Sequence, residues 1–265
     1  MVLDWNRVDE DLFWGSAKER HEMFLKRGAG KPAPWTEDSI LNHARTCLPF
    51  RTLDRHTIEM FNLAQTLDPD EQPLFVAFAR RNCRREIWPK CIEAIKTNWV
   101  DGLGEELKRL EFRGEKTRTG RYIACSPKDS DLSTACRVAE VFEDARWDNA
   151  RQLADCLVEV QWTGPFLAWQ HALDWGICSE KDWDQWTNCK PILGPGAFAG
   201  AKLLGADKKE ALQLCAALAS RAKTHGPINV DMPMTIADVE HWLCEFQKLV
   251  RAAKGGAVRP YKIGE

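Results

Sequence analysis

Apolar side chains recur every three or four positions along most of the chain, and that period confines it to amphipathic helices packed on one another. Thr36 is placed to cap a helix through Ile40 and Leu41. A second runs from about Asp54 to Gln65, with Ile58, Phe61 and Leu63 among its apolar positions. Leu74 to Arg81, Ile87 to Trp99 and Leu103 to Leu110 continue the pattern. It lapses between Arg113 and Ser130, where Gly114, Thr117, Thr119, Gly120, Arg121 and Pro127 read as irregular loop. Helices resume near Leu132. Asp207-Lys-Lys-Glu210 is a capping box for a helix to about Lys223, and Thr235-Ile-Ala-Asp238 opens the last helix in the same way. These elements predict one all-α domain over residues 1–265 with a single loop insertion. Two lobes, 1–112 and 131–265, joined by the loop 113–130, are the other arrangement this pattern allows.

A chain of 265 residues can bury a sizeable core, and 44% hydrophobic with 29% charged residues is ordinary globular composition. Twelve Trp against two Tyr supply large rigid packing groups, some of them available to a base-stacking surface. The formal charge is −2, so any contact with DNA must come from local patches. Basic residues gather in three places: Arg80, Arg81, Arg84 and Arg85; then Lys108, Arg109, Arg113, Lys116, Arg118 and Arg121; then Lys248, Arg251, Lys254, Arg259 and Lys262. Taken singly each is a solvated face; together they predict a segregated basic surface. The ten Cys form no C-x-x-C, the Met1 end lacks a basic-then-apolar signal, and no apolar run is long enough to span a bilayer. The expectation is a reduced cytosolic protein with buried thiols and no membrane, iron–sulfur or zinc site.

Four segments could carry chemistry. Ile192–Leu204, ILGPGAFAGAKLL, reads as a hairpin leading into a small-residue helix. Its turn amides at Gly194 and Gly196 would face a DNA phosphate at a helix N-terminus. An ordinary Gly-Pro turn between helices is the competing account. Arg51, Asp54 and Arg55 stand at i, i+3 and i+4, so one helical face would carry two guanidiniums beside a carboxylate. That face could grip a phosphate, or could be an intrahelical ion pair. The helix Trp162–Asp174 is apolar nearly all round and should be buried, projecting Gln170 and Asp174 from one face into a pocket or a structural network. The last helix, Thr235 to about Arg251, has the stripe Ile236, Val239, Leu243, Phe246 and Val250. Asp238, His241, Glu245 and Lys248 flank it on one side; Glu240, Cys244, Gln247 and Arg251 flank it on the other. A carboxylate at such a boundary can be desolvated enough to serve as a base, or can be a solvated flanking charge.

Other signals fail. Gly28-Ala-Gly-Lys31 lacks the upstream Gly of a phosphate-binding loop, and Pro32 follows its Lys. The six His show no metal-ligand spacing, and neither the zinc-deaminase signature nor G-x-S-x-G occurs.

In order, PWTEDSIL, FRTLDR, TGRYIA, TGPFLAWQHALD, GPGA and DVEHWLCEFQKLVR span Trp35 to Arg251. This series resembles the phage-associated alpha-glutamyl/putrescinyl-thymine pyrophosphorylase family, the helical group found beside hydroxymethyluracil DNA kinases. The chain departs from that pattern where Thr46 and Leu48 replace an F-x-N ahead of Phe50-Arg51, and around Arg80–Arg85. The resemblance implies a helix-hairpin-helix, DNA-glycosylase-like fold, phage encoding and a place in the host cytoplasm. It implies a transferase that replaces the phosphate or pyrophosphate of phosphomethyl-deoxyuridine in double-stranded DNA with an amino acid or polyamine, with no metal or other cofactor, alongside a hydroxymethyluracil DNA kinase. Arg51 and Arg55, with Asp54, would bind the leaving phosphate, and Asp238 or Glu245 would act as base or hold the ammonium. Gln170, Asp174, Glu240 and Lys248 would contact substrate. Gly194, Gly196, Lys190, Lys202, Arg118 and Arg121 would hold DNA. Two other readings stand beside it: a glycosylase using Asp231 or Asp238, and a non-catalytic DNA-binding partner of the kinase.

Overall fold

The protein is described by a computed structural model over residues 3–82, 84–117, 131–144, 147–229 and 232–260. The described residues form helices α1 (Glu10–Gly28), α2 (Ser39–His43), α3 (Arg55–Ala64), α4 (Gln72–Asn82), α5 (Trp88–Phe112), α6 (Asp131–Glu143), α7 (Ala150–Leu157), α8 (Pro165–Cys178), α9 (Trp183–Thr187), α10 (Pro195–Leu203), α11 (Ala211–His225) and α12 (Ile236–Ala253). Strands β1 (Ile228–Asn229) and β2 (Met232–Pro233) pair antiparallel and add only a short ladder. The all-α expectation holds. The chain divides into two compact units, one of residues Met1–Asp54 with Leu193–Glu265 and one of Arg55–Ile192. The lobes expected on either side of 113–130 do not coincide with them.

The first unit is built on α12. Its capping box forms as the sequence predicts, with Thr235 Oγ1 accepting the Asp238 N–H and the Asp238 carboxylate accepting the Thr235 N–H at 3.0 Å. Phe246 meets Phe13 edge to face with ring centroids 5.4 Å apart, and Trp242 Nε1 donates to the Phe13 carbonyl at 3.2 Å. Full burial of such aromatic side chains contributes roughly 1.5–3 kcal/mol apiece. Helix α10 lies close against α12 because it lacks side chains there. A Cβ on Gly200 would sit 2.1 Å from the Leu243 carbonyl oxygen, and one on Gly196 would sit 2.3 Å from Cys244 Sγ. Helix α1 is absent from the periodicity reading. Its core face mixes Phe13, Trp14 and Ala17 with buried Glu19, Arg20 and His21, which blurs the apolar stripe. The α2 cap is Asp38, which accepts the Ile40 and Leu41 N–H groups, and not Thr36, whose hydroxyl donates to Glu19 at 2.6 Å. Before α11, Asp207 accepts the Glu210 N–H at 2.9 Å and Glu210 accepts the Asp207 N–H at 3.0 Å, closing the second box.

In the second unit α4 is enclosed, with Phe75, Val76, Ala77, Phe78 and Ala79 all buried. Helix α8 is buried from Leu167 to Asp174, as its all-round apolar sequence predicts. The two segments read as Ile87–Trp99 and Leu103–Leu110 run together as α5 across a kink at Asn98 and Trp99, where Trp99 takes φ +43°. The first basic cluster is no basic surface. Arg80 and Arg81 are 4% and 3% exposed, Arg80 pairs with Asp174 through two hydrogen bonds, and Arg81 approaches Asp131 at 3.5 Å. Arg85 pairs with Glu59. A guanidinium removed from water needs a carboxylate, and these have one.

Candidate active site on the last helix

Helix α12 carries Asp238, Glu240 and Glu245, which are 1%, 2% and 3% exposed. They are more deeply buried than helix-boundary positions, because α10 and the segment leading to Arg51 cover both flanks of the apolar stripe within the first unit.

Each carboxylate has its own environment. Asp238 is engaged at both oxygens: Oδ2 accepts the Thr235 N–H and hydroxyl, and Oδ1 accepts the Arg51 N–H at 2.8 Å. It therefore fixes both the start of α12 and the turn that carries Arg51. Glu245 accepts the Cys47 N–H at 3.0 Å through Oε2 and pairs with Lys248 through Oε1. Burial alone would lower the Lys248 pKa; Glu245, with the Cys244 and Cys47 thiols near it, raises it instead. Glu240 differs. Its Oε1 accepts the Gly194 N–H at 3.3 Å, and its pKa is pushed up to about 7. Burial is the largest cause, with the Gly194 N–H and the Arg51 guanidinium pulling the other way. A carboxyl poised there can carry or release a proton near neutrality.

Cys47 and Cys244 complete this surround. Burial, then Asp54 and Glu245, raises the Cys47 thiol, and burial with Glu245 pushes Cys244 up to about 12. Both are therefore protonated and poorly nucleophilic near neutral pH. Of the two thiols, only Cys244 is placed by the sequence pattern, on a flank of the α12 stripe. The i, i+3 spacing of Glu245 and Lys248 was the available sign of a paired charge, but nothing local pointed to the Cys47 amide.

Two expectations change. Arg51, Asp54 and Arg55 do not share a helical face: Arg51–Leu53 is one 3-10 turn, Asp54 is extended with ψ 132°, and α3 begins only at Arg55. The Gly194 amide and the open flank of Gly196 are not turned to a phosphate. The Gly194 N–H points inward to Glu240, and the space a Gly196 Cβ would need is filled by Cys244.

Arg55, Gln170, Asp174 and Lys190 belong to the second unit. There Asp174 is fully buried against Arg80, Gln170 is buried one turn before it, and Arg55 and Lys190 are exposed. His171, between them on α8, is held down to about 3 by burial first and then by Arg81, with Asp174 opposing. Lys202 is exposed on α10. Arg118, Arg121 and Asp231 lie outside the described residues. Among the described residues no cluster of His, Cys, Asp and Glu is arranged to hold a metal ion, and no helix is long and apolar enough to cross a membrane. The eight described cysteines are free.

No curated protein and no solved structure matches the chain. A family model described as 5-hmdU DNA kinase, helical domain, matches residues 9–257. That span takes in the helices of both units and every described residue of the α12 site, and sets them in the context of DNA modification at 5-hydroxymethyldeoxyuridine. The chain belongs to the family of the 5-hmdU DNA kinase helical domain.

Proposed function

We propose that this domain is a transferase acting on DNA, replacing the phosphate or pyrophosphate of phosphorylated 5-hydroxymethyl-deoxyuridine with a small amine. The observation that carries the reading is Glu240: a buried carboxyl with a pKa of about 7, held by one backbone amide and within the electrostatic reach of the Arg51 guanidinium. An amine arrives as its ammonium and must lose a proton before it can attack. Glu240 accepts that proton, the neutral nitrogen attacks the methylene carbon, the C–N bond forms as the C–O bond breaks, and the phosphate departs with the electron pair. Arg51 supplies positive charge where negative charge develops on the leaving oxygen. Asp238 is a positioning residue, because its contacts hold the Arg51 turn and the α12 start. Glu245 with Lys248 keeps a second charge pair beside them. Lys202, in the same unit, is a proposed contact to the DNA backbone, and Gln170, Arg55 and Lys190 of the second unit are each open to an alanine test.

The test incubates the protein with duplex DNA carrying phosphomethyluracil and a panel of amino acids and polyamines, followed by digestion to nucleosides and mass spectrometry. A nucleoside bearing the amine supports the reading. Unchanged phosphomethyl-deoxyuridine with every amine overturns it.

One observation favours a second reading. Asp238 and Glu245, two of the three α12 carboxylates, are spent on backbone amides, a cap and a lysine. A domain that only delivers DNA to a kinase would use them in this way. It would bind duplex DNA and leave every nucleoside unaltered in the same assay.

A further inference from the structure

Helices α10 and α12 meet closely at Gly196 and Gly200. Toward the C-terminal ends of both helices they border an open groove of about 350 Å³ lined by Ala199, Leu203, Gln247, Val250, Arg251 and Lys254. This is at the small end of the range for ligand-sized clefts, about 300–1,000 Å³. No carboxylate lines it. The sequence holds no acid from Gly194 to Ala206, nor from Phe246 to Pro260, so both walls are free of one. Lys202 is exposed beside Leu203 on the α10 wall. Among the described residues Lys202, Arg251 and Lys254 enter no ion pair, whereas Lys248, one turn before Arg251, is paired with Glu245.

Cations near the end of a helix also offset its carbonyl dipole, so the charges must be weighed. Two helix C-termini contribute together about one unit of partial negative charge. Three full positive charges exceed that, and the groove stays cationic on a protein whose formal charge is −2. The chain beyond α12 is shaped around it. Gly255 takes φ +76°, turning the backbone, and a Cβ on Gly256 would lie 2.5 Å from Arg251 Cγ. The Gly255-Gly256 turn leaves room for the stem of Arg251 at the lip of the groove.

We infer that this groove binds the phosphodiester backbone of duplex DNA, through Arg251 and Lys254 with Lys202 beside them and Gln247 as a neutral donor. The inference rests on the DNA-modifying reading above for the identity of the polyanion. It moves the DNA grip from the Gly194 turn, whose amide is taken, to the opposite end of the same helix pair. Contacts to phosphate carry no sequence information, which suits a domain whose target is marked by a modified base.

The experiment measures binding of a fluorescein-labelled unmodified duplex by anisotropy over a range of salt concentrations, for the wild type, Arg251→Gln, Lys254→Gln and the double variant. Thermal melts check that each is folded. The double variant is expected to bind about tenfold more weakly near physiological salt, and its plot of log affinity against log salt should be shallower by about two. Gly256→Ala, which displaces Arg251 without removing a charge, should weaken binding in the same direction. An unchanged slope and affinity in the folded double variant overturns the inference. So does a wild type that ignores DNA but binds polyglutamate in an Arg251-dependent way, which would assign the groove to an acidic protein. Nucleoside analysis of the same protein variants incubated with phosphomethyluracil duplex and the amine panel reads the transfer reaction separately. Loss of slope without any transfer keeps the groove and removes the transferase; transfer with unchanged slope does the reverse.

Discussion

Glu240 accepts the backbone N–H of Gly194 at 3.3 Å, so the start of α10 and the first turns of α12 share one buried hydrogen bond. The bond has two consequences. It turns inward an amide that a Gly-Pro turn would otherwise present to solvent, and it makes the proton affinity of Glu240 depend on where α10 begins. Burial raises that affinity, and the amide and Arg51 restrain it.

The first consequence is a pH-dependent cost in stability. An unfolded glutamate titrates near 4.5, and Glu240 in the fold near 7. Between those values the native protein keeps a proton that the unfolded chain has released, so stability falls as pH rises through this window and stays reduced above it. The gap corresponds to on the order of 3 kcal/mol. Glu240→Gln keeps an acceptor for Gly194 and carries no charge. It is expected to match the wild type near pH 4 and to exceed it by that order at pH 8, read from urea midpoints at the two pH values. A Gln variant less stable than the wild type at pH 8 would refute the burial argument.

Activity should follow the same group in the opposite sense. As a base Glu240 works only when ionised, so single-turnover transfer should rise along a limb centred near pH 7. Arg51→Met removes a charge that favours the ionised form, and should both slow transfer and move the limb to higher pH. Arg51→Lys should return the limb toward its original position. A limb that stays put in Arg51→Met would separate Arg51 from Glu240.

Much of this was legible locally. The two capping boxes at 207–210 and 235–238 formed as their spacing demanded, because a cap is decided within four residues. The burial of α8 followed from an apolar surface on all sides. What the sequence could not display were partners far along the chain. Arg80 and Arg81 look like part of a basic patch until Asp174, 94 residues on, is placed against the first of them. Glu240 and Glu245 sit on opposite flanks of a helical wheel, and a wheel does not show that Gly194 and Cys47 cover those flanks. The Gly196 and Gly200 positions are ambiguous for the same reason. A missing Cβ admits a phosphate or a neighbouring helix equally, and only the position of Cys244 and Leu243 decides.

That decision gives a stability test. Gly200→Ala drives a methyl into the Leu243 carbonyl, which is backbone and cannot step aside, and should cost about 1–3 kcal/mol or more. Gly196→Ala meets the Cys244 sulfur instead. Pairing it with Cys244→Ala should recover part of the loss, whereas Cys244→Ala should do little for Gly200→Ala. The coupling in these two double-mutant cycles, measured by denaturant unfolding, distinguishes helix packing from a role in DNA contact.

The Arg80–Asp174 pair calls for a different signature, because both charges are buried and each is satisfied by the other. Removing only the carboxylate, as in Asp174→Ala, strands a guanidinium in the interior of the second unit and should cost about 3–5 kcal/mol. Replacing both, as in Arg80→Met with Asp174→Leu, removes the desolvation penalty along with the attraction, and should leave stability close to the wild type. His171 reports on the same change. Asp174 is what raises its proton affinity against burial and Arg81, so Asp174→Ala should lower it further, and the ring should stay neutral to lower pH by NMR titration. If Asp174 instead serves the substrate alone, the single variant would lose transfer activity at unchanged stability, and the double variant would offer no rescue in the unfolding curve.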